Sequence, residues 1–322
     1  MGKLARLLEY AHGSSTEKKR ILNRPSFKTE VLNTYPKEKR ELIISDELES
    51  STLLQEEVFS TIVEGAQPVR CVRDVFPVEN IKTNQLRITY QSGAVVYADK
   101  VAEGAKIPLH TDKFATKTIS VYKIGTRPII TNEMIEDGLW DTIEFELKQA
   151  GYKLENKLNR DVIDAAINAP AGVGTAATVA VSDIAKGMQY ITKKNRVPTH
   201  MIIHPVPESQ LISGNNLLQA QMAGDNKALR NYDLGSLFGL KTARLNVTTA
   251  TTGTYDWGDY TGANDVGVLI CDPSFVKIAM RRDITVEKYE DPIHDLQGIS
   301  ATMRFGVGTI NSSGSAYIIK HS

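Results

Sequence analysis

A run of about 40 residues with helical periodicity constrains the fold of this chain more than any other feature of its sequence. Apolar or small residues recur in it three or four positions apart: Leu139, Ile143, Leu147, Ala150, Leu154, Leu158, Val162 and Ala165. Their mean spacing is 26/7, or about 3.7 residues, close to the period of an α-helix. Thr131 or Asn132 can cap the start, and Pro170 stops the run. A helix over residues 132–168 would be about 55 Å long, and we predict that it acts as a strut.

Length and composition leave several functional classes open but exclude others. A chain of 322 residues can form one large domain or two modest ones. The 38 basic and 38 acidic side chains cancel, so no overall charge attracts the protein to nucleic acid or to a membrane. Cys71 and Cys271 form neither a disulfide framework nor a metal motif, and we expect buried free thiols. No apolar run reaches the roughly 18–20 residues that a membrane span requires.

The charge is nevertheless uneven along the chain. Residues 1–40 carry ten Lys and Arg against four acids, a net charge of +6, whereas residues 41–66 carry seven acids and no base. The sequence therefore predicts a basic N-terminal arm, with a short amphipathic helix at its start, followed by an acidic segment. The arm could touch DNA phosphates, but a contact with protein is the favoured interpretation because the arm has no recognition fold.

The sequence predicts a shorter helix and then two strands before the long helix. The segment "STLLQEEVFSTIVEG" (51–65) predicts a helix with a capping box at Thr52 and Gln55 that Gly65 ends. The segments "NQLRITYQ" and "KTISVYKIG" alternate apolar and polar residues, as β-strands do. The stretch that joins them, "VAEGAKIPLHTDKF" (101–114), is much longer than the two to five residues of an ordinary hairpin turn. We therefore expect a long two-stranded ribbon with an extended tip.

The second half of the chain predicts an α/β insert and a closing sheet. The passage "APAGVGTAATVAVS" (169–182) is interpreted as a flexible exposed connector, and Ser182 as the cap of the next helix. Then follow the strand "THMIIHP", a short helix over residues 207–214, the turn and strand "LFGLKTARLN", and the core strand "DVGVLICDP". "FVKIAMRRDITVEKYE" and "ISATMRFGVGTINSSGSAYIIK" predict further strands.

Motifs for catalysis or metal binding are weak. His200 and His204 flank a strand and would lie roughly 13 Å apart, too far to share a metal. The cluster Glu287, Glu290, Asp291, His294 and Asp295 has side chains suited to hydrolysis, but it surrounds a proline turn, where solvated loops are common. No nucleophile-elbow, paired-cysteine or dinucleotide-binding motif occurs. We expect no enzyme, no cofactor and no metal; a hydrolytic α/β enzyme that uses this cluster is a remote alternative.

Several of these segments, in this order, carry a resemblance to a known family. "VAEGAKIP", then "KTISVYKIGTRPIITNEMIEDG", then a helix with "LENKLNRDVIDAAI", resemble the major capsid proteins of tailed viruses, which have the Hong Kong 97-type fold. "MIIHPVPESQL", "LFGLKT" and "CDPSFVKIAMRRDITVE" match the family more loosely. The resemblance covers most of residues 50–320. It departs from the family pattern at the tip, where Val101 and Ala102 stand without an aromatic residue.

The resemblance implies an α+β fold in four parts. These are an N-terminal arm (1–40), an extended loop (81–117), a peripheral domain with the long spine helix (41–80, 118–180 and 272–322) and an axial domain (181–271). It implies a major capsid protein that self-assembles, through pentamers and hexamers, into an icosahedral shell enclosing double-stranded DNA. An encapsulin, which builds a shell of the same fold around cargo enzymes, is the alternative.

The resemblance also suggests partners and contact residues. A separate scaffolding protein, or none, is implied, and a portal and a decorating protein are further candidate partners. Non-specific contacts to packaged DNA, assembly in the host cytoplasm and no membrane are expected. Candidates for contacts between subunits are Lys100, Glu103, Gly104, Lys106, Lys113, Arg127, Arg281 and Arg282. Some relatives join subunits by an isopeptide bond between lysine and asparagine. Lys100 or Lys106 with Asn311 would be the partners here, although no motif in the sequence supports that bond.

Overall fold

The computed structural model describes the greater part of the chain. The described residues are 21, 24, 50–91, 100, 103, 114–131, 140–169, 172–213, 236–245, 254–258, 260–291, 296–310 and 314–322. They fall into two compact units: unit 1 is Met1–Arg70, Lys123–Leu158 and Arg282–Arg304, and unit 2 is Cys71–Tyr122, Asn159–Arg281 and Phe305–Ser322. Apart from residues 21 and 24, the predicted N-terminal arm lies outside the described residues, as does the start of the long helix.

Five α-helices lie in the described part of the chain. They are α1 (Ser50–Ala66), α2 (Val72–Val75), α3 (Trp140–Ile167), α4 (Val181–Thr192) and α5 (Pro205–Ser213). Helix α3 confirms the long helix over its described length of 28 residues, about 42 Å at 1.5 Å per residue. The predicted apolar positions from Ile143 to Val162 are buried in it. Ala165 is only half-buried, and Ala166 takes its place in the core.

Fourteen strands lie in the same described ranges. The first seven are β1 (Val78–Asn80), β2 (Gln85–Gln91), β3 (Phe114–Ser120), β4 (Tyr122–Thr126), β5 (Ile129–Thr131), β6 (Gly172–Thr175) and β7 (His200–Ile203). The others are β8 (Ser236–Leu237), β9 (Leu240–Arg244), β10 (Asp256–Trp257), β11 (Asp265–Cys271), β12 (Val276–Asp291), β13 (Leu296–Thr309) and β14 (Ala316–Lys320).

Unit 1 is built around the crossing of helix α1 with the first part of α3. Val58 and Ile62 of α1 and Ile143, Leu147 and Ala150 of α3 are buried. At the crossing, a methyl group on Gly65 would collide with the backbone of Lys148, and one on Gly151 with the backbone of Ile62. Helix α1 ends at Ala66, one residue beyond the end predicted at Gly65. The absence of a side chain at Gly65 permits close backbone contact in this last turn.

Unit 2 contains a seven-stranded sheet in the order β6-β14-β11-β7-β9-β8, with β10 also paired to β11. Strand β11 lies between β14 and β7, and its residues 266–271 are buried, as expected for a continuous apolar run in a central strand. Helices α4 and α5 contribute Ile184, Ile191 and Leu211 to the core beside this sheet. The predicted cap Ser182 is wrong: Ala180 precedes the helix, and its N–H donates to the Asp183 carboxylate (3.2 Å).

The prediction of a flexible exposed connector over residues 169–182 is wrong in part, because this passage contains strand β6. This strand pairs in parallel with β14, from Gly172 beside Tyr317 to Thr175 beside Lys320. Methyl groups on Gly172 and Gly174 would collide with the Tyr317 ring, so the glycines make room for that aromatic side chain. Glycine and alanine have low strand propensity, which is why the sequence pattern did not reveal this strand.

The two cysteines are free thiols, as expected. Cys271 is buried in β11, but Cys71 is half-buried and lies at the start of α2 rather than in a strand. Within the described residues, no helix is both long and apolar enough to cross a membrane.

Candidate inter-subunit surfaces

Strands β2 and β3 form a separate two-stranded antiparallel ribbon in unit 2. Seven residue pairs join them, from Gln85 opposite Ser120 at one end to Gln91 opposite Phe114 at the other. Most described side chains of β3 are exposed, and Phe114 at the outer end is 68% exposed. A two-stranded ribbon is at best marginally stable in water by itself. The ribbon therefore has apolar and backbone surface that another molecule can cover.

The inner end of the ribbon is held firmly by its own subunit. Ile119 is 2% exposed, and the N–H of Val121 donates to the Asn84 carbonyl (3.0 Å). Tyr122 packs on Phe305, with ring centroids 4.9 Å apart, and its hydroxyl donates to Asp161 Oδ2 at 2.6 Å. Burial, together with this hydrogen bond, raises the pKa of Tyr122, so the phenol stays protonated as a donor. The ribbon is thus fixed at one end and exposed at the other.

The predicted contact residues of the extended loop are placed only in part. Lys100 and Glu103 are exposed, and Glu103 lies in a turn. Gly104, Lys106 and Lys113 lie outside the described residues, as does Asn311, the candidate isopeptide partner. Arg127 is exposed between β4 and β5.

The two predicted arginines of the closing sheet have different surroundings. Both lie on β12 and are half-buried. Arg282 Nη2 donates to the Thr302 hydroxyl (2.7 Å), which also lies 3.1 Å from the Thr285 hydroxyl. Arg282 is therefore engaged within its own subunit, across the β12–β13 pair. Its neighbour Arg281 remains a candidate for a contact with another subunit.

Sequence reasoning missed three exposed aromatic side chains in unit 1. Phe59 on α1 is 43% exposed, and Phe145 and Tyr152 on α3 are 58% and 40% exposed. Phe145 and Tyr152 are seven residues apart, so they lie on the same side of the helix about two turns apart. The sequence could have indicated that Phe145 and Tyr152 are exposed, because both residues fall outside the apolar period that runs through Ile143, Leu147 and Leu154.

The described residues give little support to a catalytic or metal-binding site. They contain no group of three or more His, Cys, Asp or Glu side chains able to hold a metal ion. His200 lies on β7 and His204 just beyond it, and burial together with Lys241 lowers the pKa of His200, which favours its neutral form. Part of the Glu287–Asp295 cluster lies outside the described residues, and Glu287 is exposed.

Comparison with known proteins gives one consistent result. The family model described as the phage capsid family matches residues 51–208, just under half of the chain. The major capsid protein of Staphylococcus phage phiMR11 is 23% identical over 196 residues, which are 60% of this chain and 65% of that protein. The chain therefore matches a little less than two thirds of the length of this relative.

Solved structures agree with the sequence matches. The mature capsid of bacteriophage PhiM1 superposes with a TM-score of 0.56 at 13% identity, over 77% of this chain and 85% of that one. The capsid of cyanophage P-SCSP1u gives 0.56 at 14% identity, over 77% and 86%. A structure from Mycobacterium phage Adephagia gives 0.55 at 17% identity, over 78% and 89%.

The fold defines the class: the chain has the α+β, Hong Kong 97-like fold of tailed-phage capsid proteins. The resemblance to the phage capsid family, first read from the segments between residues 101 and 167, is confirmed. The encapsulin alternative is not favoured by these matches. A structural protein family of this kind is consistent with the expectation that the chain is not an enzyme.

Proposed function

We propose that this chain is the major capsid protein of a tailed phage and that it self-assembles into an icosahedral shell enclosing double-stranded DNA. The observation that carries the proposal is the β2–β3 ribbon, fixed by its inner end and exposed at its outer end, on a chain with a phage capsid fold. Such a ribbon gains stability when it lies on an adjacent surface. A second copy of the same chain provides that surface.

The domain assignment follows from this proposal. Residues 81–117 form the extended loop that lies over a neighbouring subunit, and residues 1–40 form an arm that reaches another. Residues 41–80, 118–180 and 272–322 form the peripheral domain, and residues 181–271 form the axial domain around the axis of a pentamer or hexamer. Lys100, Glu103, Arg127 and Arg281 are the described charged residues that we assign to contacts with neighbours.

Closure explains how such contacts produce a container. Head-to-tail contacts around an axis generate rings, and rings that meet at further axes generate a closed shell. The proposed contacts with packaged DNA are non-specific, and they are weak because a chain of zero net charge provides no strong attraction to phosphate. A scaffolding protein, a portal and a decorating protein complete the set of proposed partners, and assembly takes place in the host cytoplasm.

Deletion of the ribbon tip tests the proposal. Removal of residues 99–112 should give subunits or capsomers that melt as the intact protein does but do not close into shells. Replacement of the same residues by a Gly/Ser linker of equal length is the matched control for loop closure, and it should fail to assemble in the same way. Electron microscopy and sedimentation give the readout, and intact shells from the deletion would refute the proposed contact of the ribbon with a neighbouring subunit.

The contents of the particles distinguish a virus shell from a cargo shell. Particles recovered from infected cells should contain DNA that resists added nuclease. Co-purification of an enzyme in place of DNA would instead indicate an encapsulin. Denaturing electrophoresis of the same particles examines cross-linking, because a single band near the 35.5 kDa of the chain excludes the isopeptide bond.

A further inference from the structure

Two glycines of β13, Gly306 and Gly308, lie against the inner end of the ribbon. They are two residues apart in a strand, so the positions face the same side. A methyl group on Gly306 would collide with the backbone carbonyl of Ser120. A methyl group on Gly308 would lie 2.5 Å from Cγ1 and 2.7 Å from Cδ1 of Ile119. Both glycines therefore allow strand β3 to approach β13 more closely than any other residue would.

The contacts around these glycines hold the ribbon in one direction. Ile119 is almost fully buried here, although the other described side chains of β3 are exposed or half-buried. Lys117 Nζ donates to the hydroxyl of Thr309, the residue after Gly308, at 3.1 Å. A backbone contact at Ser120, a buried side chain at Ile119 and a hydrogen bond from Lys117 thus lie within four residues of the inner part of β3. Together they fix both the position and the tilt of the strand.

We propose that Gly306 and Gly308 form a glycine seat that sets the direction in which the ribbon leaves its subunit and so sets the geometry of assembly. This inference rests on the proposed function, since it concerns how the ribbon reaches a second copy of the chain. The seven paired residues of the ribbon extend for about 23 Å at 3.3 Å per residue. A tilt at the inner end therefore moves the outer end, where the neighbour is contacted, by the largest amount.

Alanine at either position should alter assembly more than folding. Gly308→Ala must displace Ile119 and tilt the ribbon, and Gly306→Ala must displace the backbone at Ser120. Because a shell multiplies each small misalignment over many contacts, we expect the yield of regular shells to fall roughly tenfold or more for each variant. Gly125→Ala on β4 is the milder matched control, since its methyl group would lie 3.1 Å from a side-chain carbon of Thr302 and would not collide with backbone. This control should assemble within about twofold of the unmodified protein.

A second substitution separates the seat from a general loss of packing. Ile119→Ala removes the atoms that a methyl group at position 308 would meet and leaves Cβ at an ordinary 3.5 Å. It should therefore restore regular shells to Gly308→Ala, although it removes buried apolar surface. It should not restore Gly306→Ala, because that collision is with the backbone of Ser120. A merely structural role predicts the opposite, namely that each double variant is worse than its parent.

The measurements are sedimentation and electron microscopy of assembled material, with thermal melting of unassembled subunits for each variant. Loss or distortion of shells in Gly308→Ala, with recovery by Ile119→Ala, supports the seat. Shells of normal yield and diameter from Gly308→Ala, or no recovery in the double variant, overturn it. Gly308→Ala and its double variant with Ile119→Ala test the glycine seat even if Gly306→Ala does not fold. Failure of the unmodified protein to form shells would instead contradict the proposed function itself.

Discussion

Unit 2 contains an ion pair whose carboxylate is buried, and a single substitution can test how much this pair contributes to stability. The carboxylate of Glu208 is 3% exposed, and it accepts a hydrogen bond from Arg244 Nε at 2.6 Å. The pair of Arg196 with Asp272 is longer, 3.5 Å, and its carboxylate is more exposed, at 24% against 3% for Glu208. Loss of a cation from a buried carboxylate costs far more than loss from a solvated one.

The first prediction compares these two pairs. Arg244→Met should lower the free energy of unfolding by about 3 kcal/mol, because Glu208 stays buried without this guanidinium. The matched substitution Arg196→Met should lower it by about 1 kcal/mol or less. Urea unfolding of unassembled subunits gives both values. Equal losses from the two variants would contradict the assigned difference in burial.

A second prediction at this scale concerns the reactivity of Cys71. Burial, followed by the nearby carboxylate of Asp74, raises the pKa of the Cys71 thiol to about 11. Since the thiolate is the reacting form, alkylation of the folded protein should remain slow at pH 9 and should increase towards pH 11. In denaturant, the inflection should return to about pH 9, the ordinary value of the thiol.

The stability of the fold should respond in the same pH range. The folded protein retains the Cys71 proton at pH values where the unfolded chain has lost it, so stability falls as pH rises from about 9 to about 11. Cys71→Ser is the control for the alkylation, since Cys271 is fully buried and should not react while the protein is folded. A native inflection at the ordinary value would show that Cys71 is accessible to solvent.

Among the secondary structure elements, the crossing of α1 with α3 depends on two glycines. Ala at Gly151 would press a methyl group into the backbone of Ile62, which cannot move without separating the helices. We therefore expect Gly151→Ala to lower the free energy of unfolding by about 1–3 kcal/mol, despite the higher helix propensity of alanine. Lys153→Ala, at an exposed position of the same helix, should change it by less than about 0.5 kcal/mol. Circular dichroism melts provide the comparison, and a more stable Gly151→Ala protein would contradict the close crossing.

The elements that the sequence predicted are those whose pattern is local. The apolar period of α3 and the continuous apolar run of β11 each indicate one element whatever the rest of the chain does. The alternation in β2 and β3, with the long stretch between them, indicated the ribbon. The resemblance to capsid proteins depends on the order of such elements, which is why it could be recognised at low identity.

The elements and site features that the sequence did not predict depend on partners distant in the chain. Strand β6 looks like a connector because its glycines are explained by aromatic rings distant in the chain, those of Tyr317 and Tyr190. The sequence indicated the helix end near Gly65, but not the contact of this glycine with the backbone of Lys148. The glycine seat is equally hidden, since the reason for Gly306 lies in the backbone of Ser120. A single sequence does not show which residues distant in the chain contact one another.

For the whole molecule, we expect many weak contacts between subunits that together become durable when the shell closes. A single contact of millimolar affinity contributes only about 4 kcal/mol. A subunit in a closed shell makes several such contacts at once, and each holds the others at high effective concentration. We therefore expect the proposed shell to be stable although any one pair of subunits dissociates readily.

The exposed charges of the extended loop should then affect register and rate of assembly more than the stability of the subunit. Lys100→Glu reverses the charge of an exposed residue that we assign to a contact between neighbours. We expect slower assembly at low salt, a smaller difference near 1 M salt, where charges are screened within about 3 Å, and an unchanged melting temperature. Light scattering follows the rate, and Lys153→Glu on α3 is the control. Equal rates for the two variants at low salt would remove Lys100 from the contact.

Images of the purified, unmodified protein by electron microscopy test the central claim most directly. Our account predicts closed particles of uniform diameter, in which the β2–β3 ribbon of each subunit lies across a neighbouring copy. A compact monomer at every concentration and salt condition, with its ribbon folded back on its own subunit, would contradict it.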